Sequence, residues 1–231
     1  MVKRSKRYVQ AAAKVDPAKT YEPVEALKVI KTLPAAKFDE TVEIAVRLGI
    51  DPKKTDQLVR GAVSLPKGLG KTVKVVVFAE GDKAEAAKSA GADLVGSGDL
   101  ADKILGGWMD FDIVIASPDM MKHVGKLGKV LGPQGKMPSP KSGTVTADVG
   151  NAVKEFKAGK VEFRTDAGGN VHAPLGKRSF AVEDLQANLV AFLEHISAMR
   201  PPAVKGEFLR RISISTTMGP GLAIAWEVTH A

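Results

Sequence analysis

"KTVKVVVFAEGDKAEAAKSAGADLVGSGDLADKILGGWMDFDIVIAS", residues 71–117, sets short apolar runs against helical segments. Val75, Val76, Val77 and Phe78 are apolar without a break, and "ADLVG" and "FDIVIAS" read as strands of the same kind. Between them lie a short helix, "DKAEAAKSAG", closed by Gly91, and a second helix, "DLADKILGGW". Strands that are apolar on both faces, alternating with helices, imply a parallel sheet covered on both sides. "PDMMKHVGKLGKVLG" continues as a helix with Pro118 in its first turn. A long loop, "GPQGKMPSPKSGTV", then leads to the helix "DVGNAVKEFKAG". This block is a small doubly wound, Rossmann-like α/β domain.

The flanks have a different rhythm. "ETVEIAVRLGI" alternates, with Val42, Ile44, Val46 and Leu48 on one face and Thr41, Glu43, Ala45 and Arg47 on the other. It follows an amphipathic helix carrying Val24, Leu27, Ile30 and Leu33 and stopped at Pro34. "RGAVSLP" is a further short strand. Beyond Gly159, "KVEFRTD" and "NVHAPLG" flank the turn "AGGN" as a hairpin. "VEDLQANLVAFLEHISAM" is a helix with Val182, Leu185, Leu189, Phe192 and Ile196 on one side. "EFLRRISISTTMGPG" is a last strand whose polar face holds Arg211, Ser213, Ser215 and Thr217, and "LAIAWEVTHA" extends it. The economical account has two domains. An α+β domain, an antiparallel sheet with helices, is built from residues 1–67 and 160–231, and the α/β domain, 68–159, is inserted into it. Hinges are expected near 66–70 and 157–160, at Pro66, Gly68, Gly70 and Gly159, where glycine gives the link φ/ψ freedom.

Composition narrows the function. The net charge is +8, which favours a polyanionic partner. Residues 1–67 hold 14 Lys and Arg against 8 Asp and Glu, whereas 68–159 hold 12 against 11 and 160–231 hold 8 against 7. The surplus is therefore N-terminal, and Lys3, Arg4, Lys6 and Arg7 form either one positive patch or a solvated tail. Aromatic residues are only 5%, which argues against a broad base-stacking surface. Cysteine is absent, so disulfides and thiol catalysis are excluded. No apolar run approaches the ~20 residues that span a bilayer. The basic N-terminus lacks the apolar continuation of a signal peptide, so a cytoplasmic location is the default.

Nucleotide chemistry finds decoys. Gly70-Lys71-Thr72 ends like a phosphate-binding loop, but Leu65 stands where the first glycine belongs and a strand, not a helix, follows. "VGSGDLA", 95–101, fits a dinucleotide turn between strand and helix but lacks a clear ribose-binding acid further on. Gly125, Gly128, Gly132 and Gly135 interleave with Lys126, Lys129, Lys136 and Lys141, which suits phosphate contact or simply a solvated loop. His123, His172, His195 and His230 show no metal-ligand spacing, and no nucleophile elbow occurs. No cofactor, metal or small-molecule substrate is expected. A nucleotide-dependent enzyme using the α/β domain and a DNA-binding regulator stand as two candidate readings.

The polar strand faces are more informative. Lys37, Thr41, Glu43 and Arg47 lie on one; Ser213, Ser215, Thr216 and Thr217 lie on the other, followed by Met218 and Gly219. Hydroxyls and small residues permit close approach to phosphates and ribose 2′-OH groups, and Phe38 is placed to stack on a base. For both faces to touch one RNA, the two strands must lie near each other.

"KFDETVE" (37–43), "GLGKTVKV" (68–75), "GWMDFDIVIASPDMM" (107–121), "LGPQGKMPSPKSGTV" (131–145), "VEFRTDAGGNVHAPLGK" (161–177) and "STTMGPG" (215–221) together resemble the bacterial ribosomal protein L-one family. The resemblance implies a two-domain protein whose terminal domain binds the mobile stalk of large-subunit ribosomal RNA beside the tRNA exit site. It implies involvement in release of deacylated exit-site tRNA, and repression of the protein's own operon through its messenger RNA. It implies no catalytic activity. Carried onto this sequence, the RNA-contacting positions are Lys37, Phe38, Thr41, Glu43, Thr217, Met218 and Gly219, with Arg164 and Asp166 added.

Overall fold

The computed structural model describes residues 4–226. Lys3, His230 and the C-terminal stretch after Trp226 lie outside the described residues. The chain combines helices with several sheets and divides into two compact units. One comprises the residues up to Gly70 with those from Val161 onward; the other is Lys71–Lys160.

The first unit is organised by a five-stranded sheet in the order β1 (Thr20–Tyr21), β10 (Leu222–Ile224), β9 (Leu209–Thr216), β2 (Thr41–Leu48), β8 (Asn170–Lys177). Only the β1–β10 pair is parallel. The period-two pattern of β2 is realised: Val42, Ile44, Val46 and Leu48 are buried, while Glu43 and Arg47 are exposed. That inward face packs with two helices, α2 (Pro23–Thr32) and α8 (Val182–Ala198), through Leu27, Ile30, Leu185, Leu189 and Phe192. Pro23 opens α2 where its missing N–H costs no hydrogen bond. Glu183 and Asp184 in the first turn of α8 complement its dipole. A short helix, α1 (Lys6–Ala12), precedes β1 and is capped by the Ser5 hydroxyl.

Three local expectations change. "KVEFRTD" and "NVHAPLG" do not form a hairpin ladder. Apart from a single Thr165–Val171 bridge, they part: β7 (Lys160–Arg164) pairs with β3 (Arg60–Ser64) in a separate two-stranded sheet, and β8 joins β2. The reason is the Thr165 side chain, which donates to Val59 O (2.7 Å) and accepts from Val59 N (3.0 Å), diverting the chain toward β3. "LAIAW" does not extend the last strand but turns back as β10, antiparallel to β9. Thr216 is buried opposite Val42 rather than lying on the polar face.

The second unit is a three-stranded parallel sheet with β4 (Val75–Phe78) between β5 (Leu94–Gly96) and β6 (Ile113–Ala116). All four β4 residues are buried, as an apolar run requires. Helices α3 (Asp82–Ser89) and α7 (Val149–Ala158) pack on one face through Ala87, Val153 and Phe156. Helix α4 (Gly98–Leu105), with α5 (Met121–Lys126) and α6 (Gly128–Leu131), packs on the other through Leu100, Ile104, Val124 and Leu131. The single helix expected from Pro118 is a 3-10 turn followed by two short helices that break at Leu127.

The glycines at the way out of the first unit are conformationally required but not loose. Gly68 and Gly70 have φ of 64° and 65°, and a Cβ on Gly70 would stand 2.6 Å from the Phe180 ring. Asn188, fully buried on α8, accepts from Lys67 N (3.0 Å) and donates to Gly68 O (2.9 Å) and Leu175 O (2.7 Å). Asn188→Ala leaves these backbone groups without their partner, the Leu175 carbonyl in a buried position. It is expected to cost the first unit about 1–3 kcal/mol in urea denaturation followed by circular dichroism; an unshifted midpoint would remove the clamp.

Candidate nucleic-acid interface

The register of the sheet brings the two polar strand faces together. β2 and β9 are direct antiparallel neighbours, with Glu43 opposite Ser215, Ala45 opposite Ser213 and Arg47 opposite Arg211. The chain immediately before β2 and immediately after β9 therefore ends up on one rim of the sheet. Lys37 and Phe38 stand on the first loop; Thr217, Met218 and Gly219 stand on the second.

Glu40 joins those loops. Its carboxylate is 1% exposed, and it lies in phase with Val42 and Ile44 on the inward side of the strand. One oxygen accepts from Ala36 N (2.7 Å) and from the Arg7 guanidinium (3.1 Å); the other accepts from Met218 N (3.3 Å). The Arg178 guanidinium approaches to 3.8 Å while bonding the carbonyls of Lys31 and Leu33 at the end of α2. Burial by itself would raise the carboxyl's pKa. Hydrogen bonds from the Thr216 hydroxyl and from Ala36 and Met218 N–H, with the Arg7 charge, outweigh it and hold the group below its ordinary value.

Neighbouring contacts complete the rim. Thr217 N donates to Thr41 O (3.0 Å), and the Thr217 hydroxyl accepts from Thr41 N (3.0 Å). Lys177 donates to the Thr41 hydroxyl (3.1 Å), and Asp39 accepts from the Ser179 hydroxyl (2.7 Å) and N–H (3.2 Å). Asp39 and Thr217 are exposed but engaged in these bonds, whereas the side chains of Lys37, Phe38 and Met218 are exposed without such a partner among the described residues. Phe38 is 54% and Met218 51% exposed, a costly display for apolar groups unless something covers them. Gly219 is needed for an internal reason: a Cβ there would lie 2.3 Å from the Thr216 hydroxyl oxygen that serves Glu40.

The remaining candidates lie elsewhere. Glu43 is exposed on the outer face, one row in from the rim. Arg164 is exposed at the end of β7. Asp166 sits at the opposite end of β8 from Lys177, where its oxygens accept from Gly168 N (2.8 Å) and Asn170 N (2.7 Å). The Asn170 N–H and amide hold its carboxyl down to about 2, so this group is the organiser of a turn. Sequence reasoning missed Glu40 and Lys177, and it placed Arg7 in a basic patch or tail rather than against Glu40. The available signal was a glutamate at an inward position of an alternating strand.

The nucleotide decoys have mechanical explanations. Lys71 is paired with Asp112 (2.7 Å) and leads into a strand. Gly96 makes room for Leu100, whose Cβ would be 2.9 Å from an added Cβ. In the Gly/Lys loop, Lys136 is tied back over the Phe111 ring. His195 is a packed helix residue edge-on to Phe163, its pKa lowered by burial. Among the described residues no group of His, Asp and Glu could hold a metal, and no helix is long and apolar enough to cross a membrane.

The Glu40 network predicts a signed pH dependence. Its folded pKa is depressed, so its contribution to stability is complete above the ordinary carboxylate value of 4.5 and is lost as pH falls through the folded value. Glu40→Gln is expected to be less stable than wild type at neutral pH, and the gap is expected to narrow on acidification. Denaturation midpoints from pH 3 to pH 7 check this, and a constant gap would contradict it.

Comparison with known proteins gives one answer. The model of the Ribosomal protein L1p/L10e family matches residues 27–220. The large ribosomal subunit protein uL1 of Kosmotoga olearia is 55% identical over 224 residues, 97% of either chain. The proteins of the same name from Cutibacterium acnes and Bordetella pertussis are each 56% identical, over 96% and 97% of both chains. This chain belongs to the ribosomal protein L1p/L10e family, whose members are structural proteins and not enzymes.

Proposed function

We propose that this chain is a structural protein of the large ribosomal subunit that binds the stalk of the large-subunit ribosomal RNA through the rim of its first unit. The observation that carries the reading is the Glu40 cluster, which fixes two loops so that Lys37, Phe38 and Met218 face outward together. Lys37 supplies a phosphate contact, Phe38 a stacking face and Met218 an adaptable apolar one. Thr41, Thr217 and Gly219 act largely by holding the loops, with their backbone edges presented to ribose hydroxyls. Glu43 accepts from ribose or base amino groups, Arg164 contacts phosphate, and Asp166 acts through its turn.

The same rim serves the two further roles in this reading. A messenger site that copies the ribosomal fold represses the protein's own operon. On the ribosome, the stalk carries the protein as deacylated tRNA leaves the exit site. That motion calls for two units that reorient. Gly68 and Gly70 are held to the first unit, whereas Lys71 and Lys160 are ion-paired within the second, and Gly159 caps α7 at φ 116°. The pivots therefore reduce to the links at Gly70–Lys71 and Lys160–Val161.

Two measurements test these statements. Phe38→Ala is expected to weaken binding to a stalk transcript by about 1–3 kcal/mol in filter binding, the scale of one base–aromatic stack. Thermal stability should hold, because the ring is already half in solvent. Unchanged affinity would remove Phe38 from the site. For the pivots, the natural chain has no cysteine, so one cysteine introduced in each unit labels cleanly for single-molecule FRET. Distances between the units are expected to spread more widely than distances within one; an equally narrow distribution would refute the pivots.

A further inference from the structure

At the end of the sheet remote from Thr41 and Thr217, Arg47 and Arg211 stand directly opposite each other on β2 and β9. Both are exposed, on the face not covered by α2 and α8. Like charges at directly paired positions repel, since their Cβ atoms are only ~5 Å apart. Here nothing offsets the repulsion: among the described residues neither guanidinium makes a hydrogen bond or an ion pair. The third residue of the row, Asn170 on β8, is neutral, and its amide is turned onto Asp166. Asp166 is itself committed to its turn and to His172, 3.4 Å away.

The surface between this pair and the rim is shallow. Moving along β2 from Arg47, the next outward rows are Ala45 with Ser213 and His172, then Glu43 with Ser215 and Pro174. Ala223 on β10 continues the first of these rows. Thr41 and Arg47 are six residues apart, roughly 20 Å along a strand. A nucleic-acid backbone seated on the rim has a low track with two unpaired guanidinium groups at its far end.

We propose that Arg47 and Arg211 form a clamp for an RNA phosphate, extending the RNA footprint across the outer face of the sheet. Paired guanidinium forks present convergent donors to phosphate oxygens, and the anion turns their mutual repulsion into shared attraction. The free protein thus carries a local repulsion that RNA relieves. The proposal rests on the reading that the rim binds ribosomal RNA.

The test is Arg47→Gln, Arg211→Gln and the double variant, titrated with a transcript of the stalk between 50 mM and 200 mM salt, with thermal unfolding of each free protein. The clamp predicts that the double variant binds about tenfold or more weakly at the lower salt. Its slope of log K against log salt should be shallower by about 1–2, since every phosphate that the protein no longer neutralises keeps nearly one counterion. The free double variant should melt at the same temperature as wild type or higher. Lys28→Gln on α2, behind the sheet, should leave the slope unchanged. A double variant with wild-type affinity and slope overturns the clamp and leaves the rim standing. Affinity lost only together with thermal stability also overturns it, because the arginines would then be structural. A wild-type protein that does not bind the transcript overturns the rim reading, and the clamp with it.

Discussion

The first unit depends on one buried carboxylate. Taking an ionised glutamate out of water is costly unless hydrogen bonds and opposite charge replace its hydration. Glu40 finds donors in three separate stretches of chain: Ala36 just before the strand, Met218 after the last long strand, and Arg7 in the N-terminal helix. Arg178, just after β8, adds a more distant positive charge at 3.8 Å while donating to the carbonyls that close α2. Because the anion needs all of them, their geometries become mutually dependent. Two loops that are far apart in sequence are thereby presented as one surface.

That dependence also explains residues that would otherwise be assigned to the ligand. Gly219 is bare because Thr216 needs the space to reach Glu40, and the Thr217 hydroxyl is occupied by the Thr41 backbone. In such a site the polar residues shape the loops, and the exposed Phe38, Met218 and Lys37 remain to meet a partner. In the proposed reading, loops already held by these bonds lose little conformational entropy when RNA docks.

Much of this was legible from periodicity. The alternation of β2, the unbroken apolar β4 and the amphipathic α8 each report which faces are buried, and the structure buries those faces. What failed was whatever depended on a single side chain choosing a distant partner. Thr165 turns β7 toward β3 instead of β8, and no local pattern encodes that choice. The segment after Gly221 reads from its apolar start as an extension of the last strand, but pairing with both β9 and β1 reverses it. Of the candidate site, the residue types were readable, but the assembling group was not. Glu40 resembled any charged residue at a strand's start until its inward phase met donors from three stretches of chain.

The glycines of residues 68–70 carry the last step. They look like a phosphate loop because both devices need backbone freedom, but freedom of conformation is not freedom of motion. Positive φ at Gly68 and Gly70 allows the chain to turn beneath Phe180 and within reach of Asn188, which then holds it. The chain leaves the first unit after β3 and returns to it at β7, and those two strands are paired. The exit and the return are thus fixed side by side, so an interruption of some ninety residues leaves the five-stranded sheet intact. Under the proposed pivots, such an anchored exit would leave reorientation to the links just beyond it. Glycine here serves a fixed turn of the first unit.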